Sequence, residues 1–318
     1  MNKKQLLSLL AAVTLSTASY AQQDPMYTQY MFNMLGVNPA YAGSRNVLSV
    51  TGLYRNQWLG IDGAPVTQTL SVDFPVSNKR IGLGVTLVND KIGIQKNLNA
   101  YLSYSYRLRL GKGVLSLGLQ AGANNYSANF NPVMTNSLYN GGNGGGTQDP
   151  AFQQNFTKTL PNVGAGLYYS TDKFFLSLSA PKILQYSLST AVTGISSANN
   201  IARQYRHFFL SSGFVLPLSE NVKLKPSFLL KAVEGAPLEL DINANLWFGG
   251  KFGIGASYRT GDSVDGMLEF QLTPQFRLGY AYDFTLTRLG KHTTGSHEIL
   301  VRYETGYGKR KVISPRYF

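Results

Sequence analysis

The chain of 318 residues contains no cysteine, and it carries few charged residues for its length. The lack of cysteine excludes disulfides, cysteine nucleophiles and cysteine-ligated metal sites. Only 14% of the residues are charged, whereas a soluble protein usually carries about a quarter. No apolar run after Ala21 approaches the roughly 18 residues that a membrane-spanning helix needs. These deficits argue against a soluble enzyme and against a helical membrane protein.

The first residues have the three parts of a secretory signal peptide. Two lysines precede an apolar stretch, residues 6–15, and Ser19-Tyr20-Ala21 supplies the small residues of a cleavage site. The apolar stretch is too short to cross a bilayer as a helix. We therefore expect residues 1–21 to be a signal peptide and the mature chain to start at Gln22.

Basic residues outnumber acidic ones even without the signal peptide. Removal of Lys3 and Lys4 reduces the 29 basic residues to 27 against 16 acidic residues, a net charge of about +11. Such an excess can indicate nucleic-acid binding, but export and the dispersed position of the charges argue against a nucleic-acid partner. We expect outer-membrane lipid, which is anionic, or an acidic protein as the partner that this charge attracts.

Apolar and polar residues alternate strictly over residues 98–110. One face carries no charge and consists of Leu98, Ala100, Leu102, Tyr104, Tyr106, Leu108 and Leu110. The other face consists of Asn99, Tyr101, Ser103, Ser105, Arg107 and Arg109. This is the pattern of a β-strand, because a helical period would mix the two sets.

The same alternation recurs at residues 114–125, 222–233, 237–248 and 276–287, again without charge on the apolar face. A repeated uncharged face is typical of a wall that contacts lipid. Since a backbone in lipid has to satisfy its own hydrogen bonds, strands cross a membrane only as a closed barrel. A soluble β-sandwich also alternates, but its solvent face would carry more lysine and glutamate.

We therefore predict an all-β fold, a transmembrane antiparallel β-barrel of about fourteen strands within residues 45–307. Bacterial single-chain barrels have an even number of strands. The predicted strands cover residues 46–54, 66–74, 81–88, 97–110, 114–125, 162–170, 173–180, 204–217, 222–233, 237–248, 251–260, 264–272, 276–287 and 296–305.

The connections between the predicted strands alternate in length. Short turns are predicted near Ser77, Lys112, Thr171-Asp172, Glu220, Gly249-Gly250 and Pro274. The intervening connections, most of them longer, include residues 55–65, 89–96, 126–161, 181–203 and 290–295. Outer-membrane barrels have short periplasmic turns and longer extracellular loops. We therefore expect a protein of the cell outer membrane with both termini in the periplasm.

Three segments are predicted to lie outside the barrel wall on composition. Residues 131–149 are rich in glycine and residues 184–200 in serine, threonine and asparagine, which indicates surface loops. The basic tail, residues 308–318, is expected to be a solvated periplasmic segment.

Residues 22–44 precede the first predicted strand and have a different pattern. Asp24 is a good N-cap, Pro25 suits the first helical position, and Gly36 can end a helix. The apolar residues with helical spacing are Tyr27, Tyr30, Met31 and Met34. We predict a short amphipathic helix, Pro25–Leu35, inside the lumen or at its periplasmic mouth. It either plugs the barrel or docks a periplasmic partner.

The sequence has no strong pattern of catalytic or metal-binding residues. Its three histidines lack the spacing of a metal site. The run Gly141–Gly146 lacks the Lys-Ser or Lys-Thr that would follow in a phosphate-binding loop. A surface lipase that uses Ser296, or another serine near His297, is a third hypothesis, but the adjacent residues Ser296 and His297 of a strand face opposite sides. We expect no catalytic residue, metal or cofactor.

Several charged residues fall on the face that is predicted to line the lumen. Cross-strand pairing is expected between Lys231 and either Glu239 or Asp241, because the alternation places all three on the same face of the two strands that flank the Gly235-Ala236 turn. The predicted lumenal charge network comprises Arg107, Arg109, Lys231, Glu239, Asp241, Arg259, Arg277 and Asp283, with Asp265, Glu269, Glu298, Arg302 and Glu304 on the same face. Its role is either structural or that of an anion-preferring pore.

Short motifs spread over the mature chain resemble the PorP/SprF family of outer-membrane proteins associated with type IX secretion in Bacteroidota. The motifs are Gln23-Asp24-Pro25, Tyr30-Met31-Phe32-Asn33, Asn38-Pro39-Ala40-Tyr41-Ala42-Gly43, Tyr54-Arg55-Asn56-Gln57-Trp58, Gly63-Ala64-Pro65 with Thr67, Gly82-Leu83-Gly84, Asn89-Asp90-Lys91 with Gly93, Gly295-Ser296-His297-Glu298 and Ser314-Pro315-Arg316-Tyr317-Phe318. One departure is Pro315, which interrupts a terminal strand ending in an aromatic residue.

The resemblance implies a non-enzymatic barrel that works with other type IX components in export or surface attachment of a large secreted adhesin, and in gliding. The family has no catalytic residues to carry over. A partner-contact or plug region is expected at Asp24, Pro25, Tyr30, Asn33, Asn38, Pro39, Tyr41, Gly43, Arg55, Gln57 and Trp58. A diffusion porin or small-solute channel is the alternative function.

Overall fold

A computed structural model of the chain describes residues 25–76, 79–130, 155–190 and 199–305. The expected signal peptide, Asp24, the glycine-rich segment 131–149 and the basic tail lie outside these described residues. The side chains of residue 156, residues 187–190 and residues 199–203 are likewise outside the description.

The described residues form seventeen strands, of which fourteen make up a barrel wall. The wall strands are β1 (Leu48–Asn56), β2 (Val66–Pro75), β3 (Ile81–Ile92), β4 (Gln95–Leu110), β5 (Gly113–Ala128), β6 (Phe156–Ser170), β7 (Phe174–Ala180), β10 (His207–Phe214), β12 (Val222–Val233), β13 (Glu239–Phe248), β14 (Phe252–Arg259), β15 (Ser263–Gln271), β16 (Phe276–Thr285) and β17 (Ser296–Thr305). The remaining strands are β8 (Tyr186–Thr190), β9 (Asn199–Gln204) and the two-residue β11 (Leu216–Pro217).

The wall closes on itself. Each wall strand pairs antiparallel with its neighbours in sequence, β10 pairs with both β7 and β12, and β1 pairs with β17. We call the β1–β17 junction the seam. β8 and β9 form a separate hairpin, and β11 adds a short edge to β12. The predicted fourteen-strand transmembrane barrel is therefore confirmed.

The two faces of the wall have opposite chemistry. On β4 and β5 the outward Leu102 and Leu119 are 66% and 63% exposed, whereas the inward Ser103 and Ser105 are buried. Rows of outward leucine, tyrosine and phenylalanine continue around the barrel, and acyl chains are the environment that such a belt fits. Among the helices of the described ranges, none has the length and apolar character needed to cross a membrane.

The connections lie at two ends of the barrel, which we call the short-turn rim and the long-loop rim. The short-turn rim carries the β4–β5 and β13–β14 turns, and the long-loop rim carries the connections β1–β2, β7–β10 and β16–β17. One connection of the second set was predicted too long. Within residues 89–96 only Gly93 and Ile94 form a turn, because Asp90, Lys91 and Ile92 continue the ladder with Asn97, Lys96 and Gln95. Similarly, β5 and β6 extend into the predicted loop 126–161.

Residues 25–47, here called the lumenal segment, run through the interior of the barrel before β1 begins. The predicted amphipathic helix Pro25–Leu35 is wrong. Three separate 3-10 helices form instead, at Tyr30–Phe32, Met34–Gly36 and Pro39–Tyr41. The reason is that residues 27–35 are all buried. With wall on every side, the segment has no polar face to turn toward water, and its path follows individual contacts.

The described ends of the chain lie at opposite rims. Pro25 is beside Gln57 and Pro65, in the β1–β2 connection of the long-loop rim. Thr305 pairs with Leu48 at the other end of β1, at the short-turn rim. The termini themselves lie outside the described residues, so the expectation that both are periplasmic stays a prediction.

Candidate functional site

The lumenal segment is attached to the seam by a buried ionic cluster. The carboxylate of Glu298, on β17, accepts the backbone N–H of Thr28 at 3.0 Å and that of Gln29 at 2.8 Å. Arg55, on β1, lies 3.2 Å from Glu298 and 2.7 Å from Asp283 of β16. Asp283 also accepts the Thr28 hydroxyl at 2.7 Å. These five buried residues compensate one another, because every buried charge has an opposite charge or a donor beside it.

A second cluster holds the segment at Tyr27 and Tyr30. Arg259 donates to Asp241 at 2.9 Å and, at 3.4 Å, to the backbone oxygen of Tyr27. The Tyr27 hydroxyl lies 2.7 Å from the Thr69 hydroxyl, on the other side of the lumen. Next along the chain, Tyr30 is 1% exposed and its oxygen accepts the side-chain amide of Asn243 at 2.9 Å. The upper part of the segment is thus bonded to strands on opposite walls.

The lower part is held by amide and hydroxyl groups. The Asn38 amide donates to the Leu167 oxygen and to the Ser177 hydroxyl, both at 2.8 Å. Its oxygen accepts the N–H of Ala40, which caps the 3-10 helix that begins at Pro39. The sequence motif Asn38–Gly43 is therefore a wall-docking unit.

The short-turn end of the segment has its own set of bonds. The N–H of Gly43 donates a hydrogen bond to the carboxylate of Asp73 at 2.8 Å. The carbonyl oxygen of Gly43 accepts a hydrogen bond from the Arg107 guanidinium at 2.9 Å. Arg45 forms a buried ion pair with Glu304, the penultimate residue of β17. Gly43 has a φ of +68° and an added Cβ would press on Gly82 and Phe74, so glycine is required there.

Glycines of the wall face the segment where the two backbones come closest. A Cβ at Gly118, on β5, would overlap the backbone nitrogen of Ala40. A Cβ at Gly82 would likewise overlap the backbone oxygen of Ala42, whereas at Gly166 and Gly279 it would overlap the side-chain amide oxygens of Asn38 and Gln29. Because adding even one methyl group would force the segment to move, wall and segment are complementary at atomic scale.

Apolar contacts fill the remaining space between wall and segment. Tyr41 packs edge-to-face on Tyr168 of β6, with ring centroids 5.3 Å apart, and Tyr168 stacks on Phe175 of β7 at 5.9 Å. The hydrophobic core of the described residues is this cluster, built from the segment and from inward residues of the wall. The core of the protein therefore lies within the lumen.

The remaining members of the predicted charge network are placed as follows. Lys231 lies opposite Glu239 in the β12–β13 ladder, with 3.7 Å between the charged atoms. Arg277 lies 3.7 Å from Glu269 and stacks over the Trp247 ring at 4.8 Å. Arg109 was wrongly included. It faces inward by parity, but it is the penultimate residue of β4 and is exposed at the short-turn rim, beyond the filled part of the lumen.

A cavity of about 620 Å³ lies above the segment at the long-loop rim, and we call it the rim cavity. Pro25 and Met26 form its inner end. The sides are contributed by the β1–β2 connection, the ends of β3, β4 and β14, and the chain that leads from β9 into β10. Gln57 and Trp58, two residues of the predicted partner-contact region, line one side, and Tyr126 and Tyr205 are among the other lining residues.

The β1–β2 connection is fixed in place by its neighbours. Trp58 has a φ of +52°, which is rare for a residue with a bulky side chain. Its N–H donates to the Ser296 hydroxyl at 3.1 Å. Leu59 exchanges backbone hydrogen bonds with Thr294 and Gly295 of the β16–β17 connection. A strained residue that is held by its surroundings often marks a functional site.

The residues picked from the sequence thus divide between two places. Pro25, Gln57 and Trp58 line the rim cavity. The others are buried in the lumen and belong to the segment or its anchor: Tyr30, Asn33, Asn38, Pro39, Tyr41, Gly43 and Arg55. Sequence reasoning missed the wall glycines, Thr28, Gln29 and Arg45. Thr28, Gln29, Arg45 and Gly82 lie in or near the motifs, whereas Gly118, Gly166 and Gly279 lie in none of them.

The described residues show no arrangement for catalysis at the pair Ser296 and His297. Ser296 faces inward, whereas His297 faces outward and lies 2.8 Å from the Tyr280 hydroxyl. The surface-lipase hypothesis therefore lacks its nucleophile–base contact. Within the described part of the chain, no group of three or more histidine, aspartate or glutamate residues could hold a metal ion.

The chain was compared with family models, curated sequences and solved structures. A family model described as "Type IX secretion system membrane protein PorP/SprF" matches residues 19–303. No curated protein sequence matches the chain. Among solved structures, the outer membrane protein Omp33 of Acinetobacter baumannii is similar at 9% identity and a TM-score of 0.47, covering 82% of this chain and 98% of its own. The CymD monoaromatic hydrocarbon channel is similar at 13% identity and a TM-score of 0.48, covering 92% and 95%. A Pseudomonas aeruginosa FadL homologue is similar at 12% identity and a TM-score of 0.44, covering 90% and 96%.

Proposed function

Because the chain belongs to the PorP/SprF family of type IX secretion system membrane proteins, we propose that it is a closed, non-enzymatic barrel that supports the export or surface attachment of a large secreted adhesin. The barrel fold and the family agree on the outer membrane as its location. The proposal adds the secreted partner, a contribution to gliding, and the place where the partner is received.

The observation that carries the proposal is the filled lumen. Residues 25–47 are bonded to the wall from Tyr27 to Arg45, and at Gly82 and Gly118 the wall lies so close to the segment's backbone that a Cβ would overlap it. A pore needs an open, hydrated path. The lumen is instead occupied by residues 25–47 of the same chain, which suits a protein that presents a surface to a partner.

The long-loop rim is the surface that we assign to the partner. Outer-membrane barrels carry their longer loops on the outside of the cell, so the rim cavity and Trp58 would face the medium. The β1–β2 connection is held rigid by the β16–β17 connection. A preformed, rigid rim reduces the entropy lost on binding.

Two measurements test the proposal together. Affinity purification from native outer membranes, followed by mass spectrometry, should recover a large secreted protein and other type IX components with the barrel. Deletion of the gene should abolish display of that secreted protein at the cell surface and leave the uptake of small solutes unchanged. Normal display in the deletion strain contradicts the proposal.

A diffusion channel is the second candidate, and one observation favours it. Thr86, Asn99 and Ser103 face the lumen on β3 and β4, and each has a buried polar atom without a partner among the described residues. A cavity of about 80 Å³ borders Thr86 and Asn99. A hydrated gap on this side would let ions pass. Steady conductance of the purified, unmodified barrel in planar bilayers would favour the channel over the partner-binding barrel.

A further inference from the structure

The rim cavity is entered from the long-loop rim and has an acidic lining. Pro25 and Met26 line the cavity on the side of the lumenal segment, and its other lining residues belong to the long-loop rim, so a ligand enters from that rim. The charged side chains that line the cavity are Asp90, Glu239, Asp262 and Arg259. Arg259 lies 3.8 Å from Glu239 and 3.3 Å from Asp262, and Lys231 lies 3.7 Å from Glu239, so two cations face three lining carboxylates and a net negative charge is left. The whole chain has a net charge of +13, so this cavity opposes the overall sign. Anionic polysaccharide is disfavoured here, and a cationic ligand is favoured.

The lining also contains amide groups whose hydrogen bonds are incomplete. Gln204 is 5% exposed, and neither its amide oxygen nor its amide nitrogen has a partner among the described residues. The buried side-chain oxygen of Asn97 likewise has no hydrogen-bond partner among the described residues. Leaving buried polar groups unpaired is unfavourable, and a ligand that supplies both a donor and an acceptor removes that penalty. Peptide groups present one N–H and one C=O at every residue.

From these observations we infer that the rim cavity binds a short, extended polypeptide segment that carries positive charge. Gln204 and Asn97 pair with its backbone, the carboxylates attract its lysine or arginine side chains, and Trp58, Tyr126 and Tyr205 pack against it. The volume of about 620 Å³ suits a few extended residues and excludes a folded domain. The inference rests on the proposed function, since it names the part of a secreted partner that the barrel receives.

The direct test uses the purified full-length barrel in detergent and synthetic peptides as probes. Valine alternates with lysine, glutamate or serine in three peptides of equal length, and a neutral maltodextrin serves as a fourth probe. The protein has two tryptophans, so Trp247→Phe leaves Trp58 as the only tryptophan and its fluorescence reports on the cavity. The lysine peptide should bind at least about tenfold more tightly than the glutamate peptide, and its binding should weaken as salt is added.

Two variants locate the binding in the cavity. Gln204→Leu removes the unpartnered amide and should weaken binding of the lysine peptide about tenfold. Asp262→Asn removes one lining charge and should weaken the lysine peptide more than the serine peptide. Gln275→Leu, at the short-turn rim, is the matched control and should bind as the unmodified protein does. Unchanged heat-modifiable migration on gels verifies that each variant is folded.

The outcomes separate this inference from the proposed function. Equal binding of the lysine and glutamate peptides, stronger binding of maltodextrin, or unchanged binding by both cavity variants would overturn the inference. The proposed function would then still stand if gene deletion abolished surface display. Normal surface display after gene deletion would contradict the proposed function, whatever the result of the peptide-binding experiment. Weakened display in cells that carry Gln204→Leu, with normal amounts of barrel, supports both.

Discussion

The carboxylate of Glu298 accepts the backbone N–H of Gln29 at 2.8 Å, so the last strand of the barrel holds the beginning of the described chain. The residues that complete this cluster come from β1 and β16. The segment that fills the lumen is therefore anchored to the seam itself. Closure of the wall and occupation of the lumen depend on the same few side chains.

Replacing Glu298 with alanine should destabilise the barrel strongly. The change leaves the N–H groups of Thr28 and Gln29 without their acceptor and removes one of the two carboxylates beside Arg55. Breaking a buried pair costs about 3–5 kcal/mol. Urea unfolding in lipid vesicles, followed by tryptophan fluorescence, measures this loss. His297→Ala, at the adjacent outward position, should cost less than about 1 kcal/mol, and equal losses in the two variants would contradict the assignment.

Replacing Gly118 with alanine should open the lumen. The added methyl group overlaps the backbone of Ala40, so the lumenal segment has to shift at a cost of about 1–3 kcal/mol. Ion conductance in planar bilayers should rise above that of the unmodified barrel. Gly266→Ala is the matched control, since it is also a strand glycine but a Cβ there meets nothing within 4 Å. The idea of a tightly fitted segment fails if the Gly118 and Gly266 variants conduct equally.

Replacing Trp58 with glycine should give a more stable protein than replacing it with alanine. Both changes remove the indole, but only glycine relieves the left-handed backbone at φ +52°. The difference in free energy of unfolding should be about 1–2 kcal/mol in favour of glycine. The urea unfolding experiment described for Glu298 gives this difference directly. Coincident unfolding curves would show that the conformation of Trp58 is not strained.

The orientation in the membrane can be read from single engineered cysteines, because the chain has none of its own. Lys291→Cys lies in the β16–β17 connection of the long-loop rim, and Ser219→Cys lies in a turn of the short-turn rim. A membrane-impermeant maleimide should label the first on intact cells and the second only after the outer membrane is made permeable. The reverse pattern would place the rim cavity in the periplasm.

The barrel could be predicted from the sequence because its signal is local. Side chains of a strand alternate with a period of two, so the lipid-facing and lumen-facing sets separate within each segment of about ten residues. Pairing of Lys231 with either Glu239 or Asp241 was predictable for the same reason, since alternation fixes which residues share a face across a short turn, and the structure pairs it with Glu239. Arg109 shows the limit of parity. The pattern gives the face of a residue, but not its depth along the barrel.

The path of residues 25–47 could not be predicted, because distant contacts decide it. Asn38 is held by residues 167 and 177, and Arg45 by Glu304. The spacing of Tyr27, Tyr30 and Met34 suggested a helix with one apolar face, whereas wall surrounds the segment on all sides. Asn33 and Asn38 interrupt the helical backbone, with φ of −132° and −139°. The helical spacing argument assumes that one side of the segment faces water, whereas residues 27–35 are all buried in the lumen.

The anchoring of Gln29 by Glu298 also constrains how the protein is made. The residues synthesised first acquire their final partners only when the strand synthesised last is in position. A chain that stops short of β17 would have an unsealed wall and a loose N-terminal segment at once. A wall that closed before the segment entered would keep the pair of Arg55 and Glu298 but leave the Glu298 carboxylate without the N–H donors of Thr28 and Gln29, so insertion of the segment completes the hydrogen bonding of the seam.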